Sequence, residues 1–283
     1  MYRMKCLRAP RVRSSARLLV AAILLVNGVH AQDNLRLGTP SADLPIIDRE
    51  GYALAYSEAH EQPAWVAYHL TDREVTAAHV DRTDDFRTDP AVASGTATLA
   101  DYVGSGYDRG HLAPAADMAW DATVMSESFY FSNISPQEPG FNRGVWRKLE
   151  ECVRDWAVAF GDVWVVAGPV LGPRTAFIGP SEVTVPRQFF KAVLCDRCDP
   201  PMAIGFVVSN YRTSARIEDL AVTVDAAEFI TGLDFFAALP DSVERAVEAD
   251  MDWMPWAAGL GARIAAALPE AADRESRRLG AGR

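Results

Sequence analysis

The sequence predicts an α+β fold, in which helices flank a mainly antiparallel central sheet. Short apolar runs of strand length cluster along the chain and are interrupted by helical segments, instead of alternating regularly with them. The chain has 283 residues, of which 49% are hydrophobic and 23% charged. This composition provides enough apolar material for a sizeable core and differs from that of disordered or collagen-like chains.

Residues 1–31 have the layout of a signal peptide. Residues 1–17 contain six basic side chains and no acidic one, residues 18–26 are almost purely apolar, and residues 29–31 have the small-x-small pattern of a cleavage site. The apolar run is shorter than the roughly 20 residues that a membrane span needs. We therefore expect cleavage after Ala31, with an uncleaved anchor as the alternative, and a periplasmic or extracellular protein without stable membrane association.

The remaining elements follow in chain order after a polar leader, residues 32–44. Strand-like runs occur at residues 46–47, 52–56, 65–70, 129–134, 163–168, 183–185, 189–194 and 203–208. Apolar residues at helical spacing predict a helix within residues 142–160, and residues 217–220 and 225–233 also favour helix. Beyond Pro240 we expect an appended helix or two with a loose end.

Cys195 and Cys198 form a C-x-x-C pair between two predicted strands. No second pair with zinc-ligand spacing exists in the sequence, and the motif does not open a helix as a thioredoxin-like motif would. In an oxidising compartment the pair is expected to form a disulfide that pins the loop. Two free thiols on a turn are the alternative.

The segment Asp108-Arg109-Gly110-His111 is the first candidate for chemistry. On an extended chain Arg109 and His111 point to the same face. A neighbouring cation disfavours the charged imidazole, so His111 is expected to be neutral and able to act as a base. A surface turn with incidental charges is the alternative for this segment taken alone.

A second candidate lies on the predicted helix over residues 142–160. Asn142, Trp146 and Glu150 are spaced i, i+4, i+8 and would share one helix face. An amide oxygen and a carboxylate there suit a hydrated hard cation such as Mg²⁺, which keeps several waters. Taken alone, Asn142 could equally be a helix N-cap and Glu150 a solvated surface residue.

Together, Asp108-Arg109-Gly110-His111 and Asn142-Arg143-Gly144-x-Trp146-x-x-Leu149-Glu150 resemble the motifs of the DNA/RNA non-specific endonuclease family. The resemblance covers about residues 45–240 and implies a nuclease domain there with a ββα-metal active-site motif. Residues 1–31 and 241–283 lie outside it. Either motif alone would be weaker evidence than the pair.

By matching position, the resemblance implies a role for six residues. These are His111 as general base, Asn142 as the single direct Mg²⁺ ligand, Glu150 as the holder of metal-bound water, Arg109 as a phosphate-binding or site-shaping arginine, Asn133 as an active-site support residue and Arg82 as the transition-state arginine. The implied activity is Mg²⁺-dependent hydrolysis of DNA and RNA to 5′-phosphate products, with Mn²⁺ as a substitute metal and weak sequence preference.

Charge keeps two other classes of function open. The formal net charge is −10, and loss of residues 1–31 would leave 22 basic against 38 acidic residues, a net charge of −16. Such a surface repels a long polyanion, which leaves open a metal-dependent phosphodiesterase acting on a substrate other than nucleic acid. A catalytically silent nucleic-acid-binding module is the other alternative, and the intact motif residues disfavour it.

Overall fold

A seven-stranded antiparallel sheet organises the computed structural model, which describes residues 34–263 and 265–266. The strands are β1 (Ile46–Asp48), β2 (Ala53–Ser57), β3 (Gln62–Thr71), β4 (Asp108–His111), β5 (Ile134–Gln137), β6 (Asp162–Pro169), β7 (Phe177–Ile178), β8 (Val183–Thr184), β9 (Gln188–Cys195), β10 (Met202–Ser209) and β11 (Ala221–Val222). The large sheet has the order β1-β2-β3-β6-β9-β10-β11. The pairs β4-β5 and β7-β8 form separate antiparallel ladders. The expected α+β class with a mainly antiparallel sheet is confirmed.

The helices are α1 (Asp72–Thr76), α2 (Leu99–Tyr102), α3 (Ala122–Glu127), α4 (Arg147–Phe160), α5 (Val224–Thr231), α6 (Asp241–Glu248) and α7 (Trp253–Gly259). The longest of them, α4, buries Leu149, Val153 and Trp156 at helical spacing. It ends at Gly161, whose φ of 91° is accessible to glycine without steric cost.

Strand β3 shows how the large sheet is covered on both faces. Val66 and Tyr68 pack into a core that contains the apolar stripe of α4, whereas the alternate residues Trp65 and Ala67 pack into a second core with α5 and α6. Successive side chains of a strand point to opposite faces. The strand is apolar on both sides because helices cover both sides, which gives a three-layer arrangement.

Two sequence expectations near the candidate site are wrong. Residues 129–134 are not a strand: Phe131–Asn133 forms a short 3-10 turn that leads into β5. The side chain of Asn133 donates to the carbonyl of Ser128 at 2.8 Å, five residues back, a distance that an extended chain could not close. The helix expected over residues 142–160 begins only at Arg147, after the wide π-type turn Phe141–Trp146.

The segment after Pro240 forms α6 and α7, and both helices pack against the sheet layers. Val247 of α6 is buried in the second core, and Trp256 of α7 is buried against Trp156, whose Nε1 donates to the Trp256 carbonyl at 2.8 Å. The expected signal peptide, residues 1–31, and the loose end beyond residue 266 lie outside the described residues. Within the described ranges no helix is both long and apolar enough to span a bilayer.

Candidate active site

The β4-β5 ladder places His111 at the end of β4, opposite Ile134. Its tight packing requires glycine at position 110, because a Cβ there would lie 2.1 Å from the Gln137 side chain. The glycine of the D-R-G-H segment therefore serves the close approach of the second strand. This ladder and α4 supply the two strands and the helix that the resemblance implies.

His111 is buried in an aromatic cage. Its ring centroid lies 4.8 Å from that of Phe129 in an edge-on contact and 5.5 Å from that of Phe86. Burial and, to a smaller extent, the charges of Arg82 and Arg109 lower the pKa of His111 to about 3, against the opposing effect of a hydrogen bond to the Arg109 backbone. Nε2 has no hydrogen-bond partner within the described chain. The imidazole is neutral, as expected, although burial contributes more than the neighbouring cation.

Two arginines flank this cage. The Arg109 guanidinium lies 4.0 Å from the centre of the Phe86 ring, and that of Arg82 lies 4.8 Å from the centre of the Phe129 ring. Arg82 also donates from Nε to Asp84 at 2.7 Å. The structure thus brings Arg82 to His111 from a loop that is remote in sequence, and both cations lie on the aromatic walls of one site.

A buried carboxylate anchors the loop that supplies Phe86 and Arg82. Asp89 accepts a hydrogen bond from Arg49 at 2.5 Å and another from the hydroxyl of Ser132. Arg49 also donates to Glu127 at 3.1 Å. These contacts tie the loop to the segment that immediately precedes β5, so the loop and the ladder keep a common position.

Asn133 holds the backbone next to His111. Its side chain donates to the carbonyl of Ala113 and accepts from the amide of Ala113, both at 2.9 Å, in addition to the contact with Ser128. The Asn133 side chain is completely buried. Its position agrees with a supporting role, in which it fixes the chain two residues after His111 and does not face a substrate.

Asn142 lies in the π-type turn before α4, so it does not share a continuous helix face with Trp146 and Glu150 as expected. Gly144 interrupts the turn with φ −104° and ψ −108°. The Asn142 side chain donates to Asp108 Oδ2 at 2.9 Å. This contact is what attaches the turn to the strand that ends in His111.

Glu150 is on the first turn of α4 and is close to a buried lysine. Burial raises the pKa of Glu150 to about 7, an effect that Lys191 opposes. Lys191 is completely buried in the middle of β9, with Nζ 4.8 Å from the centre of the Trp146 ring. Nζ has no hydrogen-bond partner among the described residues, so its charge is balanced through space.

A second carboxylate, Asp117, completes this buried charge group. It accepts from the hydroxyl of Tyr68 at 2.9 Å and from Arg154 at 2.6 Å. Arg154 follows Glu150 by one helical turn on α4. Two cations, Lys191 and Arg154, and two carboxylates, Asp117 and Glu150, thus form one buried group beside α4. Their mutual attraction offsets part of the free-energy cost of burying the charges.

The donors around the turn fit a hydrated Mg²⁺. Because the amide nitrogen of Asn142 donates to Asp108, the amide oxygen is the atom left to bind a cation. Glu150 supplies a carboxylate from α4. Amide and carboxylate oxygens are ligands that Mg²⁺ takes while it keeps several waters.

Three residues of this region had no role assigned from the sequence. Asp108 is the first residue of the D-R-G-H motif, Phe86 lies outside both motifs, and Lys191 is the one charge in the apolar run Phe189–Leu194. A single charged residue inside a buried strand is a usable signal, because such a residue is almost never fully buried unless it is paired.

Cys195 and Cys198 are joined by a disulfide. The expected bond is present, and it closes the loop that connects β9 to β10. Cys152, on α4, is a free thiol whose pKa burial raises to about 11. Neither feature contacts the His111 cage.

The sequence pattern of the family described as DNA/RNA non-specific endonuclease matches residues 30–242. The chain is 36% identical over 221 residues to Nuclease EXOG, mitochondrial, of Danio rerio (72% of this chain, 64% of that protein). It is 36% identical over 226 residues to Nuclease C1 of Cunninghamella echinulata var. echinulata (74% and 90%), and 34% over 212 residues to Endonuclease G, mitochondrial, of Homo sapiens (70% and 70%). The chain spans less than two thirds of the EXOG proteins of zebrafish and mouse, 64% and 61%.

A solved structure titled as the EndoG/EndoGI complex matches with a TM-score of 0.71 at 29% identity, covering 76% of this chain and 95% of that one. The similarity therefore extends over nearly the whole of the other chain. It agrees with the ββα-metal arrangement of β4, β5 and α4.

The expected periplasmic or extracellular location is wrong. Relatives from zebrafish, mouse, human and yeast are mitochondrial nucleases by name, and they point to mitochondria instead. A basic, acid-free amino-terminal segment is common to secretory signals and mitochondrial targeting sequences, so the charge pattern of residues 1–17 did not separate the two.

Proposed function

Because the chain belongs to the DNA/RNA non-specific endonuclease family, we propose that it hydrolyses phosphodiester bonds in DNA and RNA with Mg²⁺ as the metal. The main support is the environment of His111. A buried, neutral imidazole with an unpartnered Nε2 lies between two arginines, on the strand whose first residue holds Asn142. A base, two cations and a metal-binding amide are the groups that this hydrolysis requires.

In this mechanism His111 accepts a proton from the water that attacks phosphorus. The cage of Phe86 and Phe129 excludes competing hydrogen bonds, so the base stays uncharged at neutral pH. Arg82 and Arg109 lie on the two walls of the cage, where they neutralise negative charge that builds up on the phosphate oxygens. The cleaved chain then bears a 5′-phosphate.

Asn142 and Glu150 would hold Mg²⁺, Asn142 directly and Glu150 through a bound water. When bound, the metal stabilises charge on the phosphate and on the leaving 3′ oxygen. Asp108 orients Asn142, and the buried group around Lys191 keeps Glu150 in place under the turn. Mn²⁺ is expected to substitute, because it also prefers oxygen ligands.

Substrate attraction has to be local, since the chain as a whole is acidic. Arg143 is bound at two points to Asp108, at 2.6 and 2.8 Å, so its charge is already paired. Arg109 and Arg147 are exposed and remain as phosphate-binding groups near the site. Contacts to phosphate carry no sequence information, so the sequence preference of cleavage is expected to be weak.

A plasmid-nicking assay tests the proposal. Wild-type protein is expected to convert supercoiled DNA to the open and linear forms with Mg²⁺, to degrade RNA under the same conditions, and to do neither with EDTA. Folded His111→Ala protein should be inactive. Cleavage of a small phosphodiester such as bis-p-nitrophenyl phosphate with no action on either nucleic acid would instead support the phosphodiesterase alternative.

A further inference from the structure

Three carboxylates meet on the side of the large sheet that faces away from the His111 cage. Asp225 and Glu228 belong to α5, and Glu248 is the last residue of α6. One oxygen from each of the three lies within 4.8 Å of the other two. Both helices pack on the second core, whereas α4 packs on the first, so this group is separated from the proposed catalytic residues by the sheet.

Glu248 is the residue that sets this group apart from an ordinary acidic surface. Its side chain is only 5% exposed, and Oε1 is buried without a hydrogen-bond partner in the described chain. A buried carboxylate without a partner is costly, so such groups are normally paired or bound to a metal. The unpartnered oxygen therefore belongs to the carboxylate of α6 that lies close to Asp225 and Glu228 of α5.

Among the described residues, no basic side chain is found to offset the charge of Glu228 or Glu248. Burial, together with the nearby carboxylates of Asp225, Asp234 and Glu244, raises the pKa of Glu248 to about 8 and that of Glu228 to about 7. The backbone amide of Phe235 donates to Glu228 and opposes the shift there. The charged side chains that shift the pKa values of Glu228 and Glu248 are therefore all carboxylates.

We propose that Asp225, Glu228 and Glu248 bind one Ca²⁺ ion that joins α5 to α6. All three donors are hard oxygens, which Ca²⁺ and Mg²⁺ prefer over other ligands. Ca²⁺ binds oxygen at about 2.3–2.6 Å, so oxygens on opposite sides of the ion are about 4.6–5.2 Å apart, whereas Mg²⁺ at about 2.0–2.1 Å requires about 4.2 Å or less. The three donor atoms lie within 4.8 Å of one another, a limit that falls inside the range a Ca²⁺ ion spans and above the one Mg²⁺ spans.

The ion would have a structural role. Glu248 follows Val247, which is buried in the second core, so a bridge to α5 would hold the end of α6 on the sheet. The cation would supply the positive charge that the surrounding side chains lack. This site is independent of the proposed nuclease activity, and Glu248→Gln is expected to leave Mg²⁺-dependent cleavage unchanged.

Calcium titration calorimetry on the full chain tests the site, and it uses CaCl₂ as the probe. The Asn142→Ala background weakens the proposed catalytic site, so that the second site dominates. We expect one Ca²⁺ per chain in this background and loss of that binding when Glu248→Gln is added. Asp241→Asn, which removes an exposed charge from the same helix outside the trio, is the matched control and should keep the binding.

Thermal unfolding provides an independent readout. Ca²⁺ should raise the Tm of the wild type and of Asp241→Asn but not that of Glu248→Gln, since only ligands that bind the folded state stabilise it. Without Ca²⁺, Glu248→Gln should unfold at the same or a higher temperature than the wild type, because the substitution removes repulsion and preserves shape. Absence of a calcium effect on the wild type, or an equal effect on Glu248→Gln, would overturn the proposal.

Discussion

The side-chain amide of Asn142 donates to Asp108 Oδ2 at 2.9 Å, across 34 residues of sequence. Asp108 also accepts two hydrogen bonds from Arg143. Burial acts to raise the pKa of Asp108, but the hydrogen bonds from Arg143 and Asn142 outweigh it and the pKa is lowered. An ionised carboxylate at the start of β4 therefore holds the turn before α4 and orients the amide proposed to bind the metal.

Replacing Asp108 should impair activity through the position of Asn142. Asp108→Asn places an amide N–H group beside the N–H donors of Asn142 and Arg143. Changes to a residue that orients a metal ligand typically cost about 10–100-fold in metal affinity or activity. Cleavage rates measured against Mg²⁺ concentration should recover partly at high Mg²⁺. Arg143→Gln removes the other partner of Asp108 and leaves the Asn142 contact, so its loss should be smaller. Equal rates for the wild type and Asp108→Asn would rule out the orienting role.

His111 and Asn142 should fail in different ways. A positioned base contributes roughly 10²–10⁴ in rate, so His111→Ala should lose that factor at every Mg²⁺ concentration. Asn142→Ala should recover part of its activity at high Mg²⁺ or with Mn²⁺, and Glu150→Gln should lie between the two. Values of kcat across a Mg²⁺ series, with folding checked by circular dichroism, distinguish them. An active, folded His111→Ala enzyme would refute the assignment of the base.

Because His111 is buried, the acid limb of the pH–activity profile should lie at a lower pH than an ordinary histidine would give. The pKa of His111 falls from 6.5 to about 3 on folding, so the base stays neutral well below the ordinary histidine range. Between these two values the unfolded chain binds one more proton than the folded chain. Stability should therefore decrease as pH falls from 6.5 towards 3, by at most about 1.4 kcal/mol per pH unit.

The variant Phe86→Ala tests whether burial is what lowers the pKa of His111. Removal of the ring admits water to the imidazole, which should move the acid limb of the kcat profile to higher pH. The same variant frees the Arg109 guanidinium from its stacking contact. An acid limb that stays at the wild-type pH would show that the aromatic cage does not set the His111 pKa.

Lys191 should influence activity through the pKa of Glu150 and not through contact with the substrate. It lowers the pKa of Glu150 against the larger effect of burial, so Lys191→Met should move that pKa above 7. At pH 7 more Glu150 would then be protonated, and activity should fall and recover as pH rises towards 9. Lys148→Met removes an exposed lysine of α4 and is the control. Identical pH profiles for the two variants would contradict the coupling.

The exposed arginines should determine the salt dependence of binding. Each phosphate contact contributes about −0.9 to the slope of log affinity against log salt on duplex DNA. Arg109→Ala, measured by fluorescence anisotropy in the inactive His111→Ala background, should reduce the magnitude of the slope by about that amount. Arg245→Ala, an exposed change on α6, should not alter it. An unaltered slope for Arg109→Ala would exclude a phosphate contact there.

Near the site, the sequence predicted the parts that depend on local pattern. The apolar run Trp65–Leu70 corresponds to β3, and the spacing of Leu149, Val153 and Trp156 corresponds to the buried face of α4. The glycine of D-R-G-H lies where an added Cβ would meet the Gln137 side chain. The break at Gly144 was not predictable in this way, because the apolar spacing continues through the π-type turn and only the backbone angles reveal it.

The sequence by itself determined the motif pair and the family, since these follow from residue identity and short spacing. The neutral state of His111 depends mainly on burial, which the fold supplies. Tertiary structure alone decided that Arg82 reaches the cage, that Asn133 pins Ala113, that Asp108 orients Asn142 and that Lys191 balances Glu150. Each of these contacts joins residues 20 or more positions apart. Hydrophobic periodicity reports which face of an element is buried, but it contains no information on which remote side chain packs against that face.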